Sequence, residues 1–382
     1  MNKSKYYYLG SFGLERETLR VDRNGRLAQT PHPFAEEAHI TRDFCENQIE
    51  LVTPVCRSID EALGSIAELD ERVRKVLSKN GENIWLYSNP PHFDSEDEIP
   101  IADFSGIYSS KRNYREILQE KYGKKLMLFS GVHFNFSFAD EFLRDINTEN
   151  EDFRNFKDKI YLRLYKQLMI HSWLLVLLTA SSPYYDASLD SEGKSGIIIN
   201  EYSSVRNSCR GYWNKFMPVL DHSSLYNFVQ SINGYVKNGQ LYSAGELYLP
   251  IRLKPRGINS LENLAENGVD HIELRMFDIN PASPIGIVGK DLEFAHLLIL
   301  YLLSQPDFVF TPELQERAVN LHKNAALLHP DTALLDHAKN ILSEMEYHFS
   351  DNENALETIA YQNEKFECGR FCGRMSNTFI RR

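Results

Sequence analysis

Four stretches of the chain alternate apolar and polar positions with a period of two, the signature of strands with one buried face. In Gly13-Leu14-Glu15-Arg16-Glu17-Thr18-Leu19 both glutamates share a face. In Gln48-Ile49-Glu50-Leu51-Val52-Thr53, which ends at Pro54, Glu50 is set apart from Ile49 and Leu51. Gly131 to Phe138 sends Val132, Phe134, Phe136 and Phe138 one way and His133, Asn135 and Ser137 the other. His271 to Met276 places Ile272, Leu274 and Met276 in the core and turns Glu273 and Arg275 away. Between these strands the period changes to that of helices. Ser58-Ile59-Asp60-Glu61 has the form of a capping box and opens a helix to Lys79. Further helices are predicted over 153–179 and 290–304. Thr311-Pro312 reads as N-cap and N1 of a helix, with more helix expected to about His348. Segments 92–110 and 184–198, rich in Asp, Ser, Pro and Gly, are expected to be loops. Strands and helices alternate irregularly, with no internal repeat, which favours an α+β fold over a regular βαβ series.

The polar faces of these strands are unusual. A wet strand face ordinarily carries Thr, Lys and Ser, whereas here the outward positions are Glu15, Glu17, Glu50, His133 and Glu273. If the strands share one sheet, four carboxylates and an imidazole crowd one surface, which is costly unless cations neutralise it. Asp43, upstream of Glu50, can join them. Oxygen-rich ligands without thiolates suit Mg²⁺ or Mn²⁺. A solvated acidic face with unrelated ion pairs fits the same alternation, and spacing alone does not decide between them.

Composition narrows the partners. The chain has 382 residues, with 53 acidic and 42 basic side chains and a formal charge of −11. That balance argues against nucleic acid as a partner. The 22 Phe and 20 Tyr exclude disorder as the dominant state. The start lacks the apolar stretch of a signal peptide, and the run from Leu168 to Ala180 is too short to span a bilayer. Five scattered cysteines suggest a reducing compartment, so a cytoplasmic protein with no membrane partner is expected. Cys368 and Cys372, four apart without His neighbours, read as a fortuitous pair and not a zinc site.

A second group of residues is cationic and aromatic. Tyr114-Arg115 follows Lys111 and Arg112, Arg206 precedes Tyr212 by six positions, and Arg252, Lys254 and Arg256 follow Glu246-Leu247-Tyr248. Arginine pairs with carboxylates and phosphates, and tyrosine binds polar groups while packing an apolar wall; each pair also fits an ordinary surface Arg beside a packed Tyr. Nucleotide motifs fail: Gly193-Lys194-Ser195 has Ser188 where a P-loop needs its leading glycine, and there is no GxGxxG or GxSxG.

Taken in order, these stretches resemble the bacterial glutamate–cysteine ligases (γ-glutamylcysteine synthetases). The matching segments are 13–21, 40–44 through 50–54, Tyr114-Arg115-Glu116, 130–137, Ser204-Val205-Arg206 with Gly211-Tyr212, Glu246-Leu247-Tyr248 with Pro250-Ile251-Arg252, and Ile272 to Arg275 with Asp278 to Pro281. The resemblance implies a glutamine-synthetase-like fold, a curved antiparallel β-sheet forming a metal-lined funnel packed with helices. It implies one catalytic domain over 1–382, with a helical C-terminal part from about residue 290. It also implies ATP-dependent joining of the glutamate γ-carboxylate to the amine of cysteine through a γ-glutamyl phosphate, the first step of glutathione synthesis. On this carry-over Glu15, Glu17, Asp43, Glu50, His133 and Glu273 are the Mg²⁺ ligands and Arg115 and Arg275 meet phosphate groups. Tyr114, Arg206, Tyr212 and Tyr248 then line the pocket for the sulfur-containing amino acid.

Two stretches depart from the family pattern. Phe44 to Ile49 is more polar than usual, with Glu46 an additional acid beside the ligands, and Asn207-Ser208-Cys209-Arg210 differs from related sequences. The chain stops at Arg382 with no ATP-grasp segment after it, so a fused glutathione synthetase activity is not expected. These departures leave open a same-fold ligase with a different acceptor amine or acid. A metal-dependent phosphoester hydrolase is the reading from another class. Either ligase is expected to act as a monomer or small homo-oligomer on small molecules.

Overall fold

The computed structural model describes residues 5–35, 37–104, 109–199 and 201–367. Cys368 and Cys372 therefore lie outside the described residues, as does the part of the expected 92–110 loop at 105–108. Nine strands and ten helices are formed among the described residues. The strands are β1 (Gly10–Val21), β2 (Ile40–Thr41), β3 (Gln48–Val52), β4 (Asn83–Trp85), β5 (Gly131–Phe138), β6 (Tyr184–Asp186), β7 (Ile197–Ile199), β8 (Ile251–Lys254) and β9 (His271–Asp278). The helices are α1 (Ile59–Lys79), α2 (Ser109–Tyr122), α3 (Asp140–Ile146), α4 (Phe153–Thr179), α5 (Leu225–Lys237), α6 (Leu261–Asn267), α7 (Gly289–Ser304), α8 (Pro312–Ala325), α9 (Thr332–His348) and α10 (Glu353–Glu367).

Seven strands form one antiparallel sheet in the order β2-β3-β1-β5-β9-β8, with β4 pairing β1 at its far end. The fold class is α+β, as the irregular alternation predicts. One face is apolar: Leu14, Val132, Phe134, Phe136, Ile272 and Leu274 join a single core with helix residues such as Ile66, Leu168, Trp173 and Leu298. Helix α1 begins at Ser58, whose hydroxyl accepts the Glu61 N–H at 3.1 Å. The Glu61 carboxylate reaches back one residue further than a capping box does, to the Arg57 N–H. Residues 168–179 of α4 and 294–303 of α7 are apolar on nearly every side, and accordingly α4 is buried between β8, β9 and α8 while α7 is buried among α1, α4, α9 and α10. No described helix is long and apolar enough to cross a membrane.

The helix expected from Thr311-Pro312 and the further helix to His348 are present as α8 and α9, separated at 326–331, where Pro330 disfavours helical backbone before it and Asp331 caps α9. Two expectations are corrected. The 184–198 stretch holds the β6–β7 hairpin. The 92–110 stretch contains a 3₁₀ turn at 96–98 and runs into α2. That helix was legible, since Tyr114, Leu118 and Tyr122 recur at i, i+4 and i+8, but its dense charge masks the stripe.

Alternation also buries charges. Arg16 faces α1, fully enclosed, and pairs with Asp70, whose other oxygen takes Arg74 at 2.5 Å. Removing one partner of such a pair leaves a stranded charge. Asp70→Ala is expected to destabilise the protein by about 3–5 kcal/mol in urea titrations; a change below about 1 kcal/mol would show that Arg16 finds other compensation.

Candidate active site

The face of the sheet opposite the helical core carries the acidic residues, and pairing register brings them together. Glu15 stands directly across from His133, Glu17 from Glu50, Asn135 from Glu273, and Glu273 in turn from Arg252. Directly opposed side chains in an antiparallel pair start about 5 Å apart. Glu15, His133 and Glu273 can each present a ligand atom within 4.8 Å of the others. His133 Nδ1 lies 3.2 Å from Glu15 Oε2 and 3.7 Å from Glu273 Oε1, while its Nε2 points to Glu17 Oε1 at 3.6 Å.

These residues border a cleft of about 250 Å³. All six acidic and histidine candidates line it: Glu15, Glu17, Asp43, Glu50, His133 and Glu273. Tyr114, Arg115, Tyr212, Tyr248 and Arg275 line it as well. Arg206 does not. Its guanidinium donates to the backbone carbonyls of Arg275 at 2.5 Å and Phe277 at 3.4 Å, and it borders a side cavity of about 40 Å³ that shares Tyr212, Tyr248 and Arg275 with the cleft. Glu46 also turns away, bonding Arg42 at 2.7 Å and the N–H groups of His32 and Asp103, so it fastens loops and is no neighbour of the acidic cluster.

The cleft is electrically polarised. Burial raises the Glu50 carboxyl well above its ordinary range, and Asp43, Glu15 and Glu17 add to the push. Burial also raises Glu17, with Asp43 adding to it and His133, Arg275 and Arg206 opposing. On the opposite wall burial also opposes ionisation of Glu273, but Arg275 at 3.0 Å and Lys254 at 3.1 Å, with His133 and Arg252, hold its carboxyl well below the usual range. Burial and Glu273 push Glu15 up, yet its hydrogen bond with His133 and the Lys254 charge leave it lowered. The result is an acidic wall on β1 and β3 facing a basic wall on β8 and β9. Arg115, from α2, reaches the acidic side, donating to the Asp43 carbonyl and lying over the Phe104 ring at 4.6 Å.

The donor set fits a hard divalent cation. Carboxylate oxygens dominate, thiolates are absent from the cleft lining, and His133 Nε2 is buried without a hydrogen-bond partner beside Glu17. Glu17 opposite Glu50 is a like-charge pair that a cation would relieve.

Aromatic rings close the other side. Tyr212 and Tyr122 each meet Tyr248 edge-on, at 5.1 and 5.4 Å, and Tyr114 stacks on Tyr242. The Tyr248 hydroxyl is buried without a partner, a donor available to a ligand. Two further lining cations, Arg252 and Lys254, belong to the cationic and aromatic group noted in the sequence but to none of the residues the resemblance singles out. The signal was present, since Ile251 and Leu253 are buried and the charged residues that follow each of them alternate onto the acidic face.

Comparison with known proteins gives this geometry a family. A family model for glutamate-cysteine ligase matches residues 1–244 and 237–325. The glutathione biosynthesis bifunctional protein GshAB of Clostridium perfringens is 37% identical over 392 residues, covering 94% of this chain and 50% of that protein. The GshAB of Listeria innocua is 38% identical over 342 residues, covering 85% and 44%. The chain thus spans about half the length of the curated relatives it matches. Among solved structures, a bifunctional glutathione synthetase from Pasteurella multocida superimposes with a TM-score of 0.84 at 26% identity, over 96% of this chain and 49% of that one. The glutamate–cysteine ligase of Francisella tularensis, in complex with AMP, shares the fold with a TM-score of 0.88 at 23% identity, over 100% and 86%. With a family model over most of its length and relatives more than a third identical, the chain belongs to the glutamate–cysteine ligase family.

Proposed function

We propose that this protein is an ATP-dependent ligase that joins the γ-carboxylate of L-glutamate to the amine of L-cysteine, giving γ-glutamylcysteine. One observation carries the reading: in a chain of this family, an acidic wall and a basic wall face each other across a single cleft. In the first step a γ-carboxylate oxygen attacks the γ-phosphorus of ATP, ADP leaves, and γ-glutamyl phosphate forms. In the second the acceptor amine attacks the acyl carbon, inorganic phosphate leaves, and the amine gives up a proton. Both steps bring anions together, so the work asked of the protein is electrostatic.

Glu15, Glu17, Asp43, Glu50, His133 and Glu273 would hold Mg²⁺, or Mn²⁺. When bound, the divalent cations supply positive charge that offsets repulsion between triphosphate and substrate carboxylate. Arg275 and Arg115 address the phosphate groups from opposite walls of the cleft. Tyr114, Tyr212 and Tyr248 line the acceptor's pocket, and Arg206 stands behind them at the side cavity. We place the activity in one catalytic unit and in the cytoplasm, in keeping with free Cys45, Cys56 and Cys209.

The test is ADP release with Mg²⁺, glutamate and a panel of amines, with mass analysis of the product. Cysteine-dependent turnover is expected; no amine-dependent turnover across the panel would overturn the reading. A different acceptor is favoured by one feature, a cavity of about 270 Å³ bounded by Trp213, Phe216 and Lys323 that shares Tyr248 with the cleft. Competition kinetics in which another amine displaces cysteine would select it.

A further inference from the structure

The strand that carries Glu273 and Arg275 is irregular where it borders the site. Along β5 and β9, Phe134 pairs with Leu274 but Val132 pairs with Phe277, so two steps on β5 oppose three on β9. The extra residue lies at Arg275–Met276, opposite His133. A bulge of this kind re-aims side chains and leaves backbone groups without ladder partners. Strict alternation would turn Met276 away from Arg275, yet both border the side cavity.

Carbonyls at and beside the bulge are taken up by two side chains from one loop. Arg206 donates to Arg275 O and Phe277 O, and Asn207 Nδ2 donates to Met276 O at 2.9 Å. Arg206 reaches them by crossing Gly131, where an added Cβ would lie 2.4 Å from its Cζ, so a side chain at that position would block the path. Asn207 also reaches Ser204 Oγ at 2.9 Å and Asp278 Oδ1 at 3.3 Å. Its own oxygen meets His322 Nε2 at 3.1 Å, and His322 Nδ1 meets Ser172 Oγ at 2.9 Å. Because Asn207 Nδ2 must donate to Met276 O, its Oδ1 must accept, which fixes the proton of His322 on Nε2. Burial holds His322 neutral, with its pKa pushed down to about 3. The chain from Ser172 on α4 through His322 on α8 to Asn207 thus ends on the bulge beside Arg275.

We propose that Asn207 and His322 are positioning residues for Arg275: His322 fixes the orientation of the Asn207 amide, and Asn207 with Arg206 holds the β9 bulge in the conformation that presents Arg275 to the cleft. The proposal rests on the ligase reading above and adds residues that neither the alternation nor the resemblance singled out for a role. Neither residue lines the cleft itself.

The test compares Asn207→Leu, His322→Phe and His322→Gln, alone and with Arg275→Lys. A 1 Å displacement of a reacting group costs up to about a hundredfold. A fall in kcat of about 10–100-fold is expected for Asn207→Leu and His322→Phe, with KM for glutamate and ATP nearly unchanged. His322→Gln keeps a donor in the Nε2 position and should recover most of the loss. Combined with Arg275→Lys, Asn207→Leu should add little, because both act on one group. Wild-type kcat in both single variants, or full additivity in the double variant, would overturn the proposal. If Asn207→Leu fails to fold, the two His322 variants decide the matter. A second arm needs no turnover: exchange of the Arg275 amide, bonded to Pro250 O at 3.0 Å, should quicken in His322→Phe and not in His322→Gln. Unchanged exchange would sink the proposal. Absence of wild-type turnover would sink the ligase reading alone, leaving exchange to judge the positioning.

Discussion

Glu15→Gln and Glu17→Gln are each expected to lower turnover about a thousandfold or more while leaving the fold intact. A carboxamide keeps the shape of the side chain but removes the charge that would hold a divalent cation. Both residues project from the face of β1 opposite the apolar core, so no core packing is lost. The metal-free protein should respond in the opposite direction at Glu50. Its carboxyl is raised by burial and by Asp43, Glu15 and Glu17, so ionised Glu50 costs stability in the folded state. That cost is absent below its unfolded pKa and grows as pH rises through the folded value. Glu50→Gln removes the titration and should raise Tm by a few degrees at neutral pH in the presence of chelator, while abolishing activity. Near-normal turnover of Glu15→Gln or Glu17→Gln at saturating Mg²⁺ would remove that residue from the metal site. A lower Tm for Glu50→Gln would mean that the carboxylate is stabilised in a way its neighbours do not explain.

Arg275→Lys is expected to reduce kcat about a hundredfold with little change in Tm. Burial works against the Arg275 charge, but Glu273, Tyr212 and Glu17 more than offset it, and the guanidinium is held firmly charged. One nitrogen bonds Glu273 at 3.0 Å, which leaves the rest of a planar fork on the wall of the cleft. Lysine retains the charge but loses the fork, so it can satisfy Glu273 or reach a phosphoryl oxygen, not both in one fixed geometry. A purely structural ion pair predicts the reverse pattern. If the variant melts much earlier yet turns over normally when folded, Arg275 belongs to the strand and not to the chemistry.

Much of this site was legible as alternation. Glu15, Glu17, Glu50, His133 and Glu273 stand out because acids occupy positions where a wet strand face ordinarily has Thr or Lys. Adjacency was not legible, because the strands that pair are separated by long helical insertions and register is set by three-dimensional packing. His133 and Glu15, now 3.2 Å apart, are separated by 118 positions in sequence. Arg206 was less legible. Its position beside Tyr212 in a matching segment suggests a cleft-lining group, but the β9 bulge presents carbonyls that capture its guanidinium. A bulge inserts one residue into a two-residue period, and within an eight-residue strand that irregularity is indistinguishable from ordinary variation. The Arg16–Asp70 pair was hidden differently, since an arginine facing the core is explained only by the acid on α1 that meets it.

The order β3-β1-β5-β9 has a consequence for how the protein comes into being. Glu15 is made about 258 residues before Glu273, with the strands that join them emerging in between. At about 5–20 residues per second, the first carboxylate waits on the order of ten seconds or more for the last. Until Gly131–Phe138 is made β1 lacks its β5 partner, and until His271–Asp278 is made β5 lacks β9. Contacts so distant in sequence make for slow folding. The Glu15–His133–Glu273 cluster therefore cannot form before β9 is made, and an N-terminal fragment ending before β9 cannot assemble it.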